Sequence, residues 1–341
     1  MGEFISLPPC PITGRPAVRR VQRLSVAALN LAWKMALFGG VRDLFKQESE
    51  LSLYESDTGL MFFDPRIEGD ETFYRQFYNI HKVQKQLDSF PLERSEYLQA
   101  ASWVKANDRV LDVGCGQAQF AKHIALARYT GLDLYSVDEK QKNGSTPHVF
   151  KESAMQHACS HPTPNYDVVT AFQVLEHVAN PLAFTQTLCS LLRPGGILIL
   201  SAPLHPSPQT ALPNYLLNFP PHHLTWWNTS AFHALATTLG LQAVQIAALP
   251  YSPHESITYW MHRFSFLRTR LKGHERYYSH RWSWYLNLLT SYLLALPLSR
   301  LIARPTNPLP TNVMLVAIKP DTANLVEPSA FTKYSSEIPN V

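Results

Sequence analysis

This sequence has little glycine and no paired cysteines. Its four cysteines, Cys10, Cys115, Cys159 and Cys189, show no paired spacing, so we expect free buried thiols in a reducing compartment rather than disulfides. Glycine is scarce, with 14 residues against 26 prolines, which excludes a flexible linker protein and favours long ordered connections. With 341 residues, 45% of them hydrophobic, the chain is long enough for one core of ordinary size with additions.

Two further absences concern charge and targeting. The formal net charge of +4 is too small to indicate nucleic-acid binding by itself. The amino end has no basic region followed by an apolar run, so a secretory signal is not expected, although Gly2 and Ser6 fit the loose M-G-x-x-x-S pattern of myristoylation. We therefore expect a cytoplasmic protein.

The stretch RVLDVGCGQAQF, residues 109–120, is the first positive signal. Its apolar, branched residues predict a buried parallel strand that ends in a tight turn. Gly114 and Gly116 leave the main chain of this turn bare enough for a ligand to lie against it. The apolar spacing after the turn predicts a helix over residues 117–127.

This turn resembles the first motif of the class I S-adenosylmethionine-dependent methyltransferases, V-L-D-x-G-C-G-x-G, with Ala118 at the place of the third glycine. The dinucleotide fingerprint G-x-G-x-x-G fits less well, because Gln119 occupies its last position. The resemblance implies that the cofactor is S-adenosylmethionine. The loop residues that it assigns to the cofactor are Asp112, Gly114, Cys115 and Gly116.

A second predicted strand, residues 129–132, ends at Asp133. In a nucleotide-binding fold this end faces the ribose, where a carboxylate can accept hydrogen bonds from both sugar hydroxyls; a turn or helix-cap aspartate is the alternative. The resemblance adds Leu134 beside it. After a third strand, residues 148–151, it places Ser153 near the adenine.

The segment YDVVTAFQVLEHVANP, residues 166–181, resembles the family's string F-D-x-V-x-x-x-x-V-L-E-H-V-x-x-P. It predicts a fourth strand with a connection at the carboxyl end, where ligands bind in open parallel sheets. The resemblance places Gln173 near the methionine part or the sulfonium. Glu176 and His177 either fix the start of the next helix or act as acid and base, and the structural role is favoured. Residues 192–196 match the family's L-R-P-G-G turn.

Strands and helices alternate between residues 110 and 240. This order and the resemblance predict an α/β fold: a doubly wound, mostly parallel seven-stranded sheet, the Rossmann-like methyltransferase fold, with an antiparallel edge. The core covers residues 92–250 and 311–320, after an N-terminal extension at 1–91. The tail at 321–341 is polar.

The extension is predicted to hold a helical cap, with helices over residues 24–45 and after Asp70. Its two short motifs CPITG and ESDTG, residues 10–14 and 55–59, look like the knuckles of a zinc ribbon. Only Cys10 remains of four ligands, and one thiolate with hydroxyls cannot make a tetrahedral zinc site. We therefore interpret the motifs as a relic without metal or as a chance similarity.

Residues 251–310 form a basic and aromatic insertion before the last strand. It either packs over the core as a substrate cap or lies on a membrane surface through residues 263–303. A membrane span is disfavoured, because Pro297 and Arg300 shorten its apolar run and because strands on either side of it must pair.

The predicted reaction is S-adenosylmethionine-dependent methyl transfer to a small or lipid-like acceptor, with O-methylation of a hydroxyl as the favoured form. The best-placed residues for taking a proton near neutral pH are His205, His222 and His223, although paired histidines also cap and pack. The fourth strand lacks an N/D-P-P-Y sequence, which disfavours nucleic-acid bases as acceptors. Two alternatives remain: a non-catalytic S-adenosylmethionine-binding module and a membrane-surface interaction protein.

Overall fold

The computed structural model describes residues 7–37, 40–87, 94–135, 147–163, 165–267, 276–302 and 308–321. These residues form two sheets. The N-terminal elements are β1 (Arg19–Ser25), α1 (Val26–Leu37), β2 (Glu50–Glu55), β3 (Met61–Asp64) and α2 (Glu71–Leu87).

The core elements follow in the chain. Its elements are α3 (Ser95–Ala101), β4 (Arg109–Val113), β5 (Arg128–Leu132), β6 (His148–Phe150), α4 (Ala154–Ser160), β7 (Tyr166–Phe172), α5 (Pro181–Leu191), β8 (Leu192–Pro203), β9 (Thr225–Trp226), α6 (Thr229–Thr238) and β10 (Gln242–Ala248). The insertion contributes α7 (Ser256–Phe264) and α8 (Trp282–Leu301), and β11 (Asn312–Ile318) closes the fold.

The larger sheet has seven strands in the order β10-β11-β8-β7-β4-β5-β6. The strands from β8 to β6 are parallel, whereas β11 runs antiparallel to both β8 and β10. This topology confirms the predicted fold class and its antiparallel edge. Parallel order brings the carboxyl ends of β4, β5 and β7 to one edge, which is where an open α/β sheet binds its ligand.

The N-terminal extension contains helices α1 and α2 together with three strands, which the sequence does not predict. β1, β2 and β3 pair antiparallel, and β3 continues onto β9 of the core connection. Helix α1 does not turn Leu31 inward, since this side chain is 57% exposed. The side chains that α1 buries are Val26, Leu29, Ala32 and Trp33. Asp70 caps α2 as predicted, by accepting a hydrogen bond from the Phe73 N–H over 2.8 Å.

The two knuckle-like turns lie together in this layer. The Gly14 N–H donates to the Cys10 carbonyl over 2.9 Å, and Gly14 has a left-handed φ of 69°. Arg15 of the first turn forms an ion pair with Asp57 of the second at 2.6 Å. Cys10 is buried among apolar side chains of the core. Whether the turns descend from a zinc ribbon stays a prediction.

The segment after the glycine turn is not the helix predicted over residues 117–127. It holds only a short 3₁₀ helix, Gln119–His123. Gly116 and Ala118 both have left-handed backbones, with φ of 53° and 52°, and an α-helix cannot start through such residues. Helix α3, which precedes β4, ends at Ala101.

The insertion folds back on the molecule. Met261 of α7 and Ala295 of α8 pack with Leu212, which lies in the connection between β8 and β9. The strands on either side of the insertion pair with each other, Ala248 opposite Val313, so the chain leaves and returns at one sheet edge. No helix in the described ranges is long and apolar enough to cross a bilayer.

Candidate functional site

A cavity of about 420 Å³ opens at the carboxyl ends of the central strands, within the range of small-molecule sites. Gly114 after β4, Asp133 after β5 and Gln173 after β7 all line it. The edge of the sheet therefore supplies one wall. Helices α2, α4 and α5 and the connection between β8 and β9 supply the others.

The glycine turn fixes the floor of this cavity. Gly114 has a φ of 72°, and its N–H donates to the Leu132 carbonyl over 2.8 Å. A Cβ at this position would lie 2.4 Å from the Cγ2 atom of Val174, so only glycine fits. Cys115 points away from the cavity and packs over Gly131. A Cβ atom added at Gly131 would lie 2.6 Å from the Cys115 Sγ atom.

Asp133 connects the first two strand ends. Its Oδ2 accepts the Gly116 N–H over 2.8 Å, and its Oδ1 accepts the Tyr135 N–H over 2.8 Å. The carboxylate is thus both the turn aspartate of the alternative interpretation and a wall residue of the cavity. Leu134 and Ser153 also line the cavity, and Ser153 forms a capping box at the start of α4.

Asp112 lies beneath this surface. It is 2% exposed, and its two oxygens accept hydrogen bonds from the Tyr129 and Thr170 hydroxyls, each over 2.8 Å. Burial raises the pKa of Asp112 to about 6, although the two hydroxyls work in the opposite direction. Asp112 therefore holds β5 and β7 against β4 and is not itself a wall residue.

Gln173 stands at the end of β7 with a left-handed φ of 57°. Its Nε2 donates to the Asn312 Oδ1 over 3.2 Å, which ties the side chain to β11. A non-glycine residue in this backbone region costs about 1 kcal/mol or more and is concentrated at functional sites. The conformation turns the chain sharply at the cavity, where the resemblance places this residue.

Three tyrosines form an aromatic wall: Tyr74 and Tyr78 of α2, and Tyr135 after β5. The rings of Tyr74 and Tyr135 stack with centroids 4.7 Å apart. Burial raises the pKa of Tyr78 to about 12, so its hydroxyl stays protonated. An apolar wall of this kind suits a flat or apolar ligand part.

A histidine cluster faces this wall. His177 and His222 line the cavity, and His223 lies behind them, stacked on His222 with ring centroids 4.6 Å apart. Candidate ligand nitrogens of the three residues all lie within 4.8 Å of one another. Burial lowers the pKa of His177 to about 4 and the pKa of His223 well below its usual value, so both rings are neutral.

Glu176 is the acidic member of this region. Its Oε1 lies 3.7 Å from the His177 Nε2 and 4.0 Å from the His223 Nε2. The side chain is 1% exposed, and burial raises the pKa of its carboxyl to about 8. The two histidines offer no counter-charge, because both are neutral.

His205 is not brought to the cavity. Its Nδ1 lies 3.0 Å from the Thr210 hydroxyl, and its ring packs on Trp226 at 5.1 Å. His205 is buried, and this burial lowers its pKa to about 4. A catalytic role for this residue stays a prediction, and we leave it out of the function proposed below.

Sequence reasoning missed several wall residues. Tyr135 and Glu68 line the cavity but belong to no motif. Tyr135 could have been found from its place two residues after a strand-end aspartate. The motif favours a helix-positioning role for His177, but the His177 ring lies in the cavity wall. The sequence feature that could have indicated this is the pair His222 and His223, which the fold brings into contact with His177.

The residues present fit S-adenosylmethionine. The backbone at Gly114 is closed to any side chain, a carboxylate stands at the second strand end, and the aromatic wall lies opposite. These are the features that a nucleoside with a ribose and an adenine requires at the edge of a parallel sheet.

Comparisons with known proteins agree. A family model described as a methyltransferase domain matches residues 80–246. The ubiquinone biosynthesis O-methyltransferase of Azoarcus sp. (strain BH72) is 29% identical over 168 residues, which cover 43% of this chain and 70% of that protein. The one from Xanthomonas campestris pv. campestris (strain B100) is 29% identical over 185 residues, covering 50% and 77%.

A solved structure of a SAM dependent methyltransferase from Archaeoglobus fulgidus covers 71% of this chain and 100% of that chain, with 18% identity and a TM-score of 0.43. The family match spans the glycine turn, the strand ends and the histidine pair described above. The chain therefore carries the methyltransferase domain over residues 80–246, and it is a class I S-adenosylmethionine-dependent methyltransferase.

Proposed function

We propose that this enzyme methylates a hydroxyl oxygen of a small, hydroxylated and partly apolar acceptor. The observation that carries the proposal is one cavity that joins a cofactor edge, with Asp133 and Gln173, to a wall with His177 and His222. The curated relatives are named O-methyltransferases, which supports an oxygen acceptor. The aromatic wall supports an acceptor with an apolar body.

S-adenosylmethionine, when bound, supplies a methyl group on a sulfonium that an acceptor nucleophile can attack in line. Asp133 would hold the ribose, and Gly114 would let the backbone approach the cofactor. His222 is our candidate for accepting the acceptor's proton. Its Nδ1–H donates to the Leu217 carbonyl over 3.0 Å, so in the neutral ring Nε2 carries the lone pair. Alignment and exclusion of water are the remaining contributions of the chain.

Calorimetry tests the cofactor half of this proposal. Wild-type protein should bind S-adenosylmethionine and should not bind NAD. Asp133→Ala should weaken the binding of S-adenosylmethionine by roughly 10-fold or more, since a hydrogen bond to a charged group contributes about 1.5–3 kcal/mol. Asp167→Asn is the matched control, because Asp167 binds Arg109 and Arg193 outside the cavity. Tight binding of NAD alone would overturn the assignment.

Turnover with hydroxylated aromatic acceptors tests the other half. His222→Gln should lower kcat by roughly 10²–10⁴-fold with little change in cofactor affinity, as expected for a lost general base. Cofactor binding without turnover on any acceptor would favour the non-catalytic module.

A second candidate function is contact with a membrane surface on the cytoplasmic side. The exposed apolar side chains of α8 lie at helical spacing: Trp282, Leu286, Leu289 and Leu293. The exposed cations Arg281 and Arg300 flank them. An apolar face with basic neighbours is suited to an anionic bilayer surface, from which a lipid-like acceptor would be presented.

Co-sedimentation with vesicles distinguishes this second function. Protein should pellet with vesicles containing phosphatidylserine and less with vesicles of phosphatidylcholine alone. The double variant Leu289→Gln and Leu293→Gln should lose most of this binding. Leu126 is 78% exposed and lies in the methyltransferase domain, outside α8. The control variant Leu126→Gln should therefore retain vesicle binding. Equal losses in both variants would contradict a specific role of α8.

A further inference from the structure

We propose that His177, His222 and His223 bind one divalent transition-metal ion, Zn²⁺ by the chemistry of the ligands, at the wall of the cavity. Three imidazoles with one position left open is a known arrangement of catalytic zinc, with metal–nitrogen distances of about 2.0–2.1 Å. The sequence predicts no metal site here, since its zinc-ribbon-like motifs lie in the N-terminal turns and this cluster forms only in the fold.

The backbone already sets the tautomers that a metal needs. The His177 Nδ1–H donates to the His222 carbonyl over 2.6 Å, and the His222 Nδ1–H donates to the Leu217 carbonyl over 3.0 Å. A carbonyl can only accept, so in each neutral ring Nε2 carries the lone pair. Histidine ligands of metals usually donate their other ring N–H to a carbonyl or carboxylate in this way.

Two orphaned polar atoms point to the same place. The Nδ1 of His223 and the Oε2 of Glu176 are buried and have no hydrogen-bond partner among the described residues. His223 is 4% exposed and Glu176 is 1% exposed. Buried polar groups are nearly always satisfied, so an exception calls for a missing partner. A cation bound by the three rings would supply a partner to the His223 ring; Glu176 does not belong to this group of ligand residues.

The distances allow the metal with small adjustments. The three ligand atoms lie within 4.8 Å of one another, whereas tetrahedral zinc brings its ligands to roughly 3.4 Å apart. The side chains must therefore close by about an ångström. The open position faces the cavity, because His177 and His222 line it. The inference rests on the proposed function but changes one role in it. A His222 whose Nε2 binds the metal is not the general base; the oxygen of the acceptor hydroxyl would occupy the open position, and the metal would polarise it.

Zinc binding to the full-length protein without a polyhistidine tag is the test. Chelator-treated protein should take up one Zn²⁺ per chain in calorimetry with zinc chloride, and Co²⁺ should give the visible absorption of a tetrahedral site. His177→Gln, His222→Gln and His223→Gln should each weaken zinc affinity by roughly 100-fold or more. His205→Gln, at a buried histidine outside the cavity, should retain wild-type affinity.

X-ray absorption of zinc-loaded wild-type protein gives a readout that needs no variant. Three imidazole nitrogens are expected; sulfur ligands or fewer imidazoles would overturn the site. Absence of uptake by wild-type protein, or equal losses in the His205→Gln protein, would also overturn it. If wild-type protein binds S-adenosylmethionine but no metal, only this inference fails, and His222 remains the proposed base. If it binds no S-adenosylmethionine, the proposed function fails instead.

Discussion

The carboxyl of Asp112 is fully buried with hydroxyl partners, and its raised pKa makes the free energy of unfolding depend on pH. The group titrates near pH 6 in the fold and near pH 4 when unfolded, so the folded chain binds more protons between these values. The free energy of unfolding therefore decreases as pH rises through this window. Above pH 6 the Asp112 carboxylate is charged, and the folded protein carries the full cost of burying that charge.

We expect Asp112→Asn to remove this dependence. Between pH 4 and pH 7 the wild-type protein should lose about 1–3 kcal/mol of stability relative to the variant. Urea unfolding at several pH values measures the difference.

Asp167→Asn should behave in the opposite way. Although burial works against it, hydrogen bonds from the Arg109 amide and the Arg193 guanidinium lower the pKa of Asp167. Asp167 therefore stabilises the fold above its unfolded pKa, and this contribution is lost as pH falls.

A stability difference between wild-type and Asp112→Asn protein that stays constant with pH would contradict the argument that burial raises the pKa of Asp112.

Individual site residues are predictable from sequence where a strand ends. Asp133 and Gln173 follow short apolar runs, and parallel order places such ends at one edge. The contact between His177 and the His222 carbonyl is not predictable in this way. It depends on how residues 204–227 fold back across the end of β7, which no local pattern encodes.

At the scale of elements, the N-cap of α6 also joins two layers. The Asn228 Oδ1 accepts the Ala231 N–H over 2.8 Å, and the Asn228 Nδ2 donates to the Gly59 carbonyl over 2.8 Å. One side chain therefore begins a core helix and holds the turn between β2 and β3. A Cβ on Gly59 would lie 2.6 Å from the Asn228 Nδ2.

We expect Asn228→Ala to cost about 2–3 kcal/mol, as the sum of a lost cap and a lost hydrogen bond to a partly buried carbonyl. Asn180→Ala is the matched control, because Asn180 caps α5 with a single bond to the Ala183 N–H over 3.0 Å. That variant should cost only about 1 kcal/mol. Equal losses in chemical unfolding would show that the bond to Gly59 does not stabilise the fold.

The core strands follow their sequence patterns, whereas the N-terminal strands do not. The strand β7 lies in the motif over residues 166–181, where the sequence predicts a strand, and most of its side chains are buried. By contrast, β1 reads RRVQRLS and is mostly exposed, so it lacks the alternation that predicts a strand. Its pairing with β2 is set by contacts far apart in sequence.

At the scale of the whole molecule, the extension and the core share one interior. The Trp33 Nε1–H donates to the Pro220 carbonyl over 2.8 Å, and the Phe63 N–H donates to the Leu224 carbonyl over 3.0 Å. Helix α2 brings Tyr74 to the cavity, where its ring stacks on Tyr135 of the core. Domain limits drawn from motifs miss this because the shared interior has no sequence motif.

This arrangement predicts that the cofactor stabilises the extension. At a concentration 100 times its Kd, a ligand adds about 2.7 kcal/mol to any opening that destroys its site. Amide hydrogen exchange in residues 71–79 of α2 should therefore slow by roughly 100-fold on adding S-adenosylmethionine, provided that α2 opens together with the aromatic wall. Helix α8 does not line the cavity and should be little affected. Protection confined to residues 109–135 would mean that the extension opens independently of the bound site.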